Sequence, residues 1–72
     1  MTLHEAIQEA LRHNHNVWMT AAEIAEEIAD RQLYLRGDGG LPLPSHVYIR
    51  VNQYLHLFEV DHSRSPMRFR LR

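Results

Sequence analysis

His46, Ile49, Arg50, Asn52 and Gln53 crowd into one stretch, Pro42 to Phe58, which reads PLPSHVYIRVNQYLHLF. Arg, Asn, Gln and His are side chains that read base edges or grip phosphates, and an apolar side chain can meet a thymine methyl. Their spacing asks for a helix. Pro44 has no amide to donate, so it suits the start of a helix and not its middle. Ser45 is the expected N-cap, its hydroxyl accepting from an orphan amide of the first turn. Val47, Val51, Tyr54 and Leu55 recur at i, i+4, i+7 and i+8, which is one helical face. The opposite face carries Ser45, His46, Ile49, Asn52 and Gln53, with Arg50 on the flank. Such a helix is anchored on one side and presented to a partner on the other. A single exposed Ile needs no special cause, so Ile49 counts only with its neighbours.

Other reactive-looking groups lead nowhere comparable. Six histidines invite a metal reading, above all His13-x-His15. No cysteine or nearby carboxylate completes a ligand set, and His4, His13, His15, His46, His56 and His62 form no i, i+4 pair on one helix. They read as surface histidines, so no metal and no cofactor is expected. Gly37-Asp38-Gly39-Gly40 is a turn cluster. It is not a phosphate-cradling loop, since no Lys-Ser/Thr follows. Arg36-Gly37-Asp38 matches an adhesion tripeptide, as three residues often do by chance. No Ser/His/Asp geometry follows from the spacing, so no catalytic residue is assigned and no enzyme is expected.

The elements that must position the contact helix read in order. Thr2 and Glu5 form a capping box that starts a helix at about Leu3. Leu3, Ile7, Ala10 and Leu11 give it a buried face, and Asn14 or Asn16 can take a left-handed turn at its end. Val17-Trp18-Met19 is a strand stub that can pair with a later hairpin. Thr20 and Glu23 form a second capping box. Ile24, Ala25, Ile28 and Gln32 line one side of the second helix, and Glu23, Glu26, Glu27 and Asp30 form an acidic stripe on the other. Leu33 to Leu43 is a loop closed by Pro42 and Pro44. Phe58 and Val60 alternate with Glu59 and Asp61, and Met67, Phe69 and Leu71 alternate with Arg68, Arg70 and Arg72. That period of 2 on both sides of His62–Pro66 predicts a hairpin. Acids can sit opposite arginines there, at about 0.2–1 kcal/mol per pair. Trp18, Tyr54, Phe58 and Phe69 read as core.

The 72 residues leave room for one domain, 1–72. A chain of this size buries only about 60% of its unfolded surface. The absence of cysteine fits an intracellular, cytoplasmic protein, with no disulfide. The N-terminus lacks a basic region and a long apolar run, so no signal peptide is expected. No stretch approaches a membrane span. The net charge of −1 argues against a strong nonspecific nucleic-acid binder. Its distribution is uneven: residues 1–30 hold six acids and one arginine, a net −5, and residues 31–72 hold seven arginines and three acids, a net +4. All eight basic residues are Arg, the better residue for bidentate or stacked contacts.

Helix, stub, helix, loop, helix, hairpin is the order of an α+β winged helix-turn-helix: three helices, a short strand and a C-terminal β-hairpin wing. The sequence also resembles a named family on Leu3-x-x-Ala6-Ile7, Ala10-Leu11, Met19-Thr20-x-x-Glu23-Ile24 and Ile28. Leu33-Tyr34, Asp38-Gly39, Pro44-Ser45, Val47-x-x-Arg50-Val51, Tyr54 and Leu57-Phe58-Glu59-Val60 continue the match across essentially the whole chain. It looks like the HARE-type helix-turn-helix domain, in its bacterial restriction-nuclease-associated branch. Ile49 stands where a smaller residue is more usual, and Leu55 where a Pro often ends the helix. The resemblance implies a non-catalytic, nucleic-acid-associated module, with partner proteins carrying any catalysis.

Duplex DNA is therefore the first expected partner. The third helix would enter the major groove with His46, Ile49, Arg50 and Gln53 nearest the bases. Arg64 at the wing tip would reach phosphates or the minor groove, with Arg68 and Arg70 behind it, and Arg36 is a further phosphate candidate. The plainer readings stand beside these. Arg50 can pair with an acid or a carbonyl, and Arg68 and Arg70 can simply answer Glu59 and Asp61. The acidic stripe counts against tight binding, because in this docking the second helix crosses the backbone. The alternative is a protein-interaction module, docking a nuclease or RNA polymerase through Leu41, Tyr48 and Ile49, with the acidic stripe as a second surface. A monomer is expected.

Overall fold

Local capping chemistry starts the first two helices where the sequence places them. Thr2 Oγ1 accepts from the Glu5 amide at 3.3 Å, while a Glu5 carboxylate oxygen accepts from the Thr2 amide at 2.8 Å. Helix α1 then runs Leu3–His13 and buries Leu3, Ala6, Ile7, Ala10 and Leu11. Thr20 and Glu23 repeat the exchange at 3.1 and 2.8 Å, and α2 runs Ala21–Arg31. The computed structural model describes residues 1–72 throughout.

Between these helices the chain turns through His15 and Asn16, both left-handed at φ 60° and 54°. Asn tolerates that region because its short side chain finds local or nearby partners. Here the Asn16 amide group donates to the Leu71 carbonyl at 3.2 Å and its oxygen accepts from the Leu71 amide at 2.7 Å. The turn is thereby tied to the last strand. It also consumes Val17 and Trp18, so strand β1 is Met19–Thr20 rather than Val17–Met19. Trp18 is half-buried, not core, and carries the Arg70 guanidinium 4.5 Å over its ring.

Gln32 departs from its expected place on the inner line of α2. Its φ of 54° closes the helix, its amide donating to the Ala29 carbonyl at 3.2 Å, and its side chain is exposed. The loop that follows is braced from within. Arg36 and Gly40 share a 2.7 Å backbone bond, Gly39 takes φ 85°, and the Arg36 guanidinium meets Asp38 at 2.7 Å.

Helix α3 runs Pro44–Gln53, and its N-cap is Leu43, not Ser45. The reason is Pro44. It forces the preceding residue into extended backbone, and its fixed φ and missing amide suit the first helical position. Leu43 is extended at φ −91° and ψ 159° and offers no capping side chain. Instead His46 Nδ1 accepts from the Leu43 amide at 3.0 Å. Val47 and Val51 are fully buried. The helix stops at Gln53, so the expected inner position of Leu55 is lost: it falls in the turn and is 45% exposed. Tyr54 is half-buried and stacks on His4 at 4.2 Å.

Strands β2, Phe58–Asp61, and β3, Arg68–Leu71, form the antiparallel hairpin that the period of 2 predicts. The register sets Glu59 opposite Arg70 and Asp61 opposite Arg68. β1 pairs with the other edge of β3, so the sheet order is β1-β3-β2. The result is an α+β domain of three helices and a three-stranded antiparallel sheet. One cluster of thirteen buried residues joins all three helices to the sheet, with Phe58 and Phe69 the largest fully buried side chains. Burying each such ring contributes about 1.5–3 kcal/mol.

Candidate nucleic-acid interface

With Val47 and Val51 held inward, the rest of α3 is sorted by angle. Ser45, Ile49, Asn52 and Gln53 are exposed, while His46 and Arg50 are half-buried on the flank facing the loop. The loop closes over that flank and makes a groove of about 260 Å³. Five of the seven candidate contact residues line it: Arg36, His46, Ile49, Arg50 and Gln53. Tyr34, Gly37 and Pro42 from the loop and Leu3 from α1 complete its walls. The sequence pointed to the helix residues by type, but it carried no sign that the loop folds back to supply the second wall.

The charges in this groove are unevenly committed. Arg36 is paired with Asp38. The Gly40 amide at 2.9 Å, and then Arg36, hold the Asp38 carboxyl below the ordinary 3.8. Arg50 makes no ion pair and no side-chain hydrogen bond; the ion pairs are Arg12–Glu9, Arg31–Glu27, Arg36–Asp38 and Arg70–Glu59. The plainer reading of Arg50, an arginine spoken for by an acid or a carbonyl, therefore finds no partner. His46 is oriented by its bond from the Leu43 amide. A nitrogen that accepts carries no proton, so in the neutral ring the hydrogen sits on Nε2. The groove thus presents two guanidiniums and an imidazole N–H as donors, and the Gln53 primary amide as donor and acceptor both.

Arg64 and Arg68 lie elsewhere. Arg64 is exposed in the hairpin turn and lines a second groove, of about 390 Å³, on the other flank of α3. That groove is mostly apolar, walled by Ala22, Pro44, Tyr48, Pro66 and Met67 over Phe69. Arg68 is half-buried in β3, next to Thr20 in the register, and its Nε is buried without a partner. Asp61, across the hairpin, spends its carboxylate on Ser63 instead, taking its amide at 2.9 Å and its hydroxyl at 2.5 Å. Arg70 does answer Glu59, at 3.4 Å. The acidic face of α2 is as expected, with Glu23, Glu26 and Asp30 exposed and Glu27 held by Arg31, which lowers its carboxyl below the ordinary 4.5.

No three His, Asp or Glu side chains converge as a metal ion would require. No helix is long and apolar enough to cross a membrane. No family model matches the chain, and neither a curated protein nor a solved structure matches it.

Proposed function

We propose that the chain is a winged helix-turn-helix module of the HARE type that binds duplex DNA weakly through α3 and the hairpin wing. The observation that supports this is the gathering of Arg36, His46, Ile49, Arg50 and Gln53 around one concave surface, with Arg50 unpaired. In this reading α3 enters the major groove. Gln53 pairs with adenine and Ile49 meets a thymine methyl. Arg50 and Arg36 take phosphates on the loop side, and Arg64 takes them at the wing tip, with Arg68 adding charge behind it. The acidic face of α2 repels the backbone, so affinity is low and depends on salt. The module is a non-catalytic cytoplasmic monomer, and a nuclease or RNA polymerase next to it supplies the chemistry.

Titrating a labelled duplex at low salt tests this. A binding isotherm whose log affinity falls linearly with log salt is expected. No change up to high protein concentration defeats the reading. The apolar groove beside Tyr48 favours one alternative, a protein-docking module. Its mark is concentration-dependent self-association, or amide shifts on adding protein and none on adding DNA. The patch of Leu41, Tyr48 and Ile49 fits it poorly, because Ile49 and Tyr48 line opposite flanks of α3.

A further inference from the structure

We propose that the groove between the loop and α3 is a phosphate-binding site, in which Arg50, Arg36 and the Nε2–H of His46 donate to the oxygens of one phosphate group. Three observations converge on it. All three side chains line the same depression. Arg50 is half-buried yet has no partner of its own. A guanidinium taken partly out of water without a counter-charge is at a disadvantage that an anion relieves. His46 has its acceptor nitrogen occupied by the Leu43 amide, so its remaining ring nitrogen can only donate. Two guanidiniums and a ring N–H only donate, and the one carboxylate bonded to the three is Asp38, on Arg36, so the set favours an anion whose oxygens accept. A planar guanidinium fork matches phosphate bidentately, and the remaining oxygens of one phosphate are left to accept from the other donors.

The phosphate can come from two sources, an internal phosphodiester of duplex DNA or a free phosphate. Only the first source rests on the DNA reading. The site also joins two elements, since Arg36 belongs to the loop and Arg50 to the middle of α3. Occupancy would therefore fix the loop against the helix.

Side-chain and amide resonances of the whole chain, followed on adding inorganic phosphate at constant ionic strength and separately on adding duplex, test the proposal. Expected with phosphate are saturable shifts at Arg36, His46 and Arg50. They weaken about tenfold or more in R50Q and persist in R12Q, whose arginine lies exposed on α1. R36Q, a change in the loop, provides the same measurement should R50Q fail to give a folded amide spectrum. Shifts at the three side chains with duplex alone, together with a log–log salt slope about 0.9 shallower in R50Q, support the site and assign it a phosphodiester. Phosphate shifts without any duplex binding support the site and defeat the DNA reading. Duplex shifts confined to Ile49, Asn52 and the hairpin, with the R50Q slope unchanged, overturn the site and leave the DNA reading intact. No shift from either ligand overturns both.

Discussion

The two flanks of α3 are built for opposite purposes. On the wing side Tyr48 stands edge-on to Phe69 at 6.4 Å, and Phe69 itself is core. That groove is the hydrophobic core continued to the surface. On the loop side Arg36, His46, Arg50 and Gln53 share the walls with Leu3, Tyr34, Pro42 and Ile49, and the loop holds its shape through its own bonds between Arg36, Asp38 and Gly40. Little there is needed to keep α3 in place, because Val47 and Val51 already do that. A flank made of core is tied to stability. A flank that carries an unpaired guanidinium, Arg50, is free to serve a ligand.

The largest expected effect tests that division directly. Phe69→Ala removes a ring that faces Val60 and Met19 across the sheet and floors the apolar groove. Truncating a buried Phe costs about 3–5 kcal/mol. A chain of this length has about 4–11 kcal/mol in total at ~0.05–0.15 kcal/mol per residue. Urea unfolding followed by circular dichroism should show most of the stability gone. Arg50→Gln, on the other flank, should change it by less than about 1 kcal/mol, the packing of its stem included. Equal losses in the two variants would erase the distinction between the flanks.

The caps provide a middle-sized comparison. Thr20 starts α2 beneath the apolar groove, through a reciprocal pair of bonds with Glu23. Thr20→Ala should cost about 1 kcal/mol in the same urea assay. His46 caps α3 through a single bond to an exposed amide. His46→Ala leaves that amide to water, so a loss within about 0.5 kcal/mol is expected. A larger loss for His46→Ala would make it a structural residue and weaken its claim as a donor to ligand.

How far these differences could be read in advance depends on their range along the chain. Both Thr-x-x-Glu boxes are satisfied within one turn, so four residues of sequence contain all the chemistry they need. The hairpin register follows from alternation, because a slip by one residue would turn Phe69 outward. At the start of α3 residue type and backbone disagree: Ser45 is the better cap by type, yet Pro44 decides the backbone one residue earlier and makes Leu43 the cap. Leu55 and Gln32 were assigned to inner faces by extending a period past the point where each helix ends. The groove was legible only by half. His46, Ile49, Arg50 and Gln53 sit on one helix, but Tyr34, Arg36 and Pro42 arrive through a loop whose path no local rule encodes. Arg68 falls in the strand behind the Arg64 turn, as the alternation predicts, but the burial of its Nε without a partner is a tertiary fact that the alternation does not carry.

The smallest effect concerns the acid beside each groove. Asp38 bonds the Arg36 guanidinium on the loop side, whereas Asp61, in the hairpin that bears Arg64, directs its hydrogen bonds to Ser63. Both carboxyls are held below their ordinary 3.8, Asp38 chiefly by the Gly40 amide and Asp61 chiefly by the Ser63 hydroxyl. A lowered folded value means that each contributes its stability above pH 3.8 and loses it as pH falls through the folded value. At neutral pH Asp38 is therefore ionised and competes with any anion for Arg36. Asp38→Asn should raise duplex affinity by a factor of about two to five at low salt, the range for an exposed ion pair. Asp61→Asn should raise it less, because its carboxylate is not bonded to an arginine. An equal gain in both variants would reflect net charge alone. A gain confined to Asp38→Asn locates the bound phosphate on the loop side of α3.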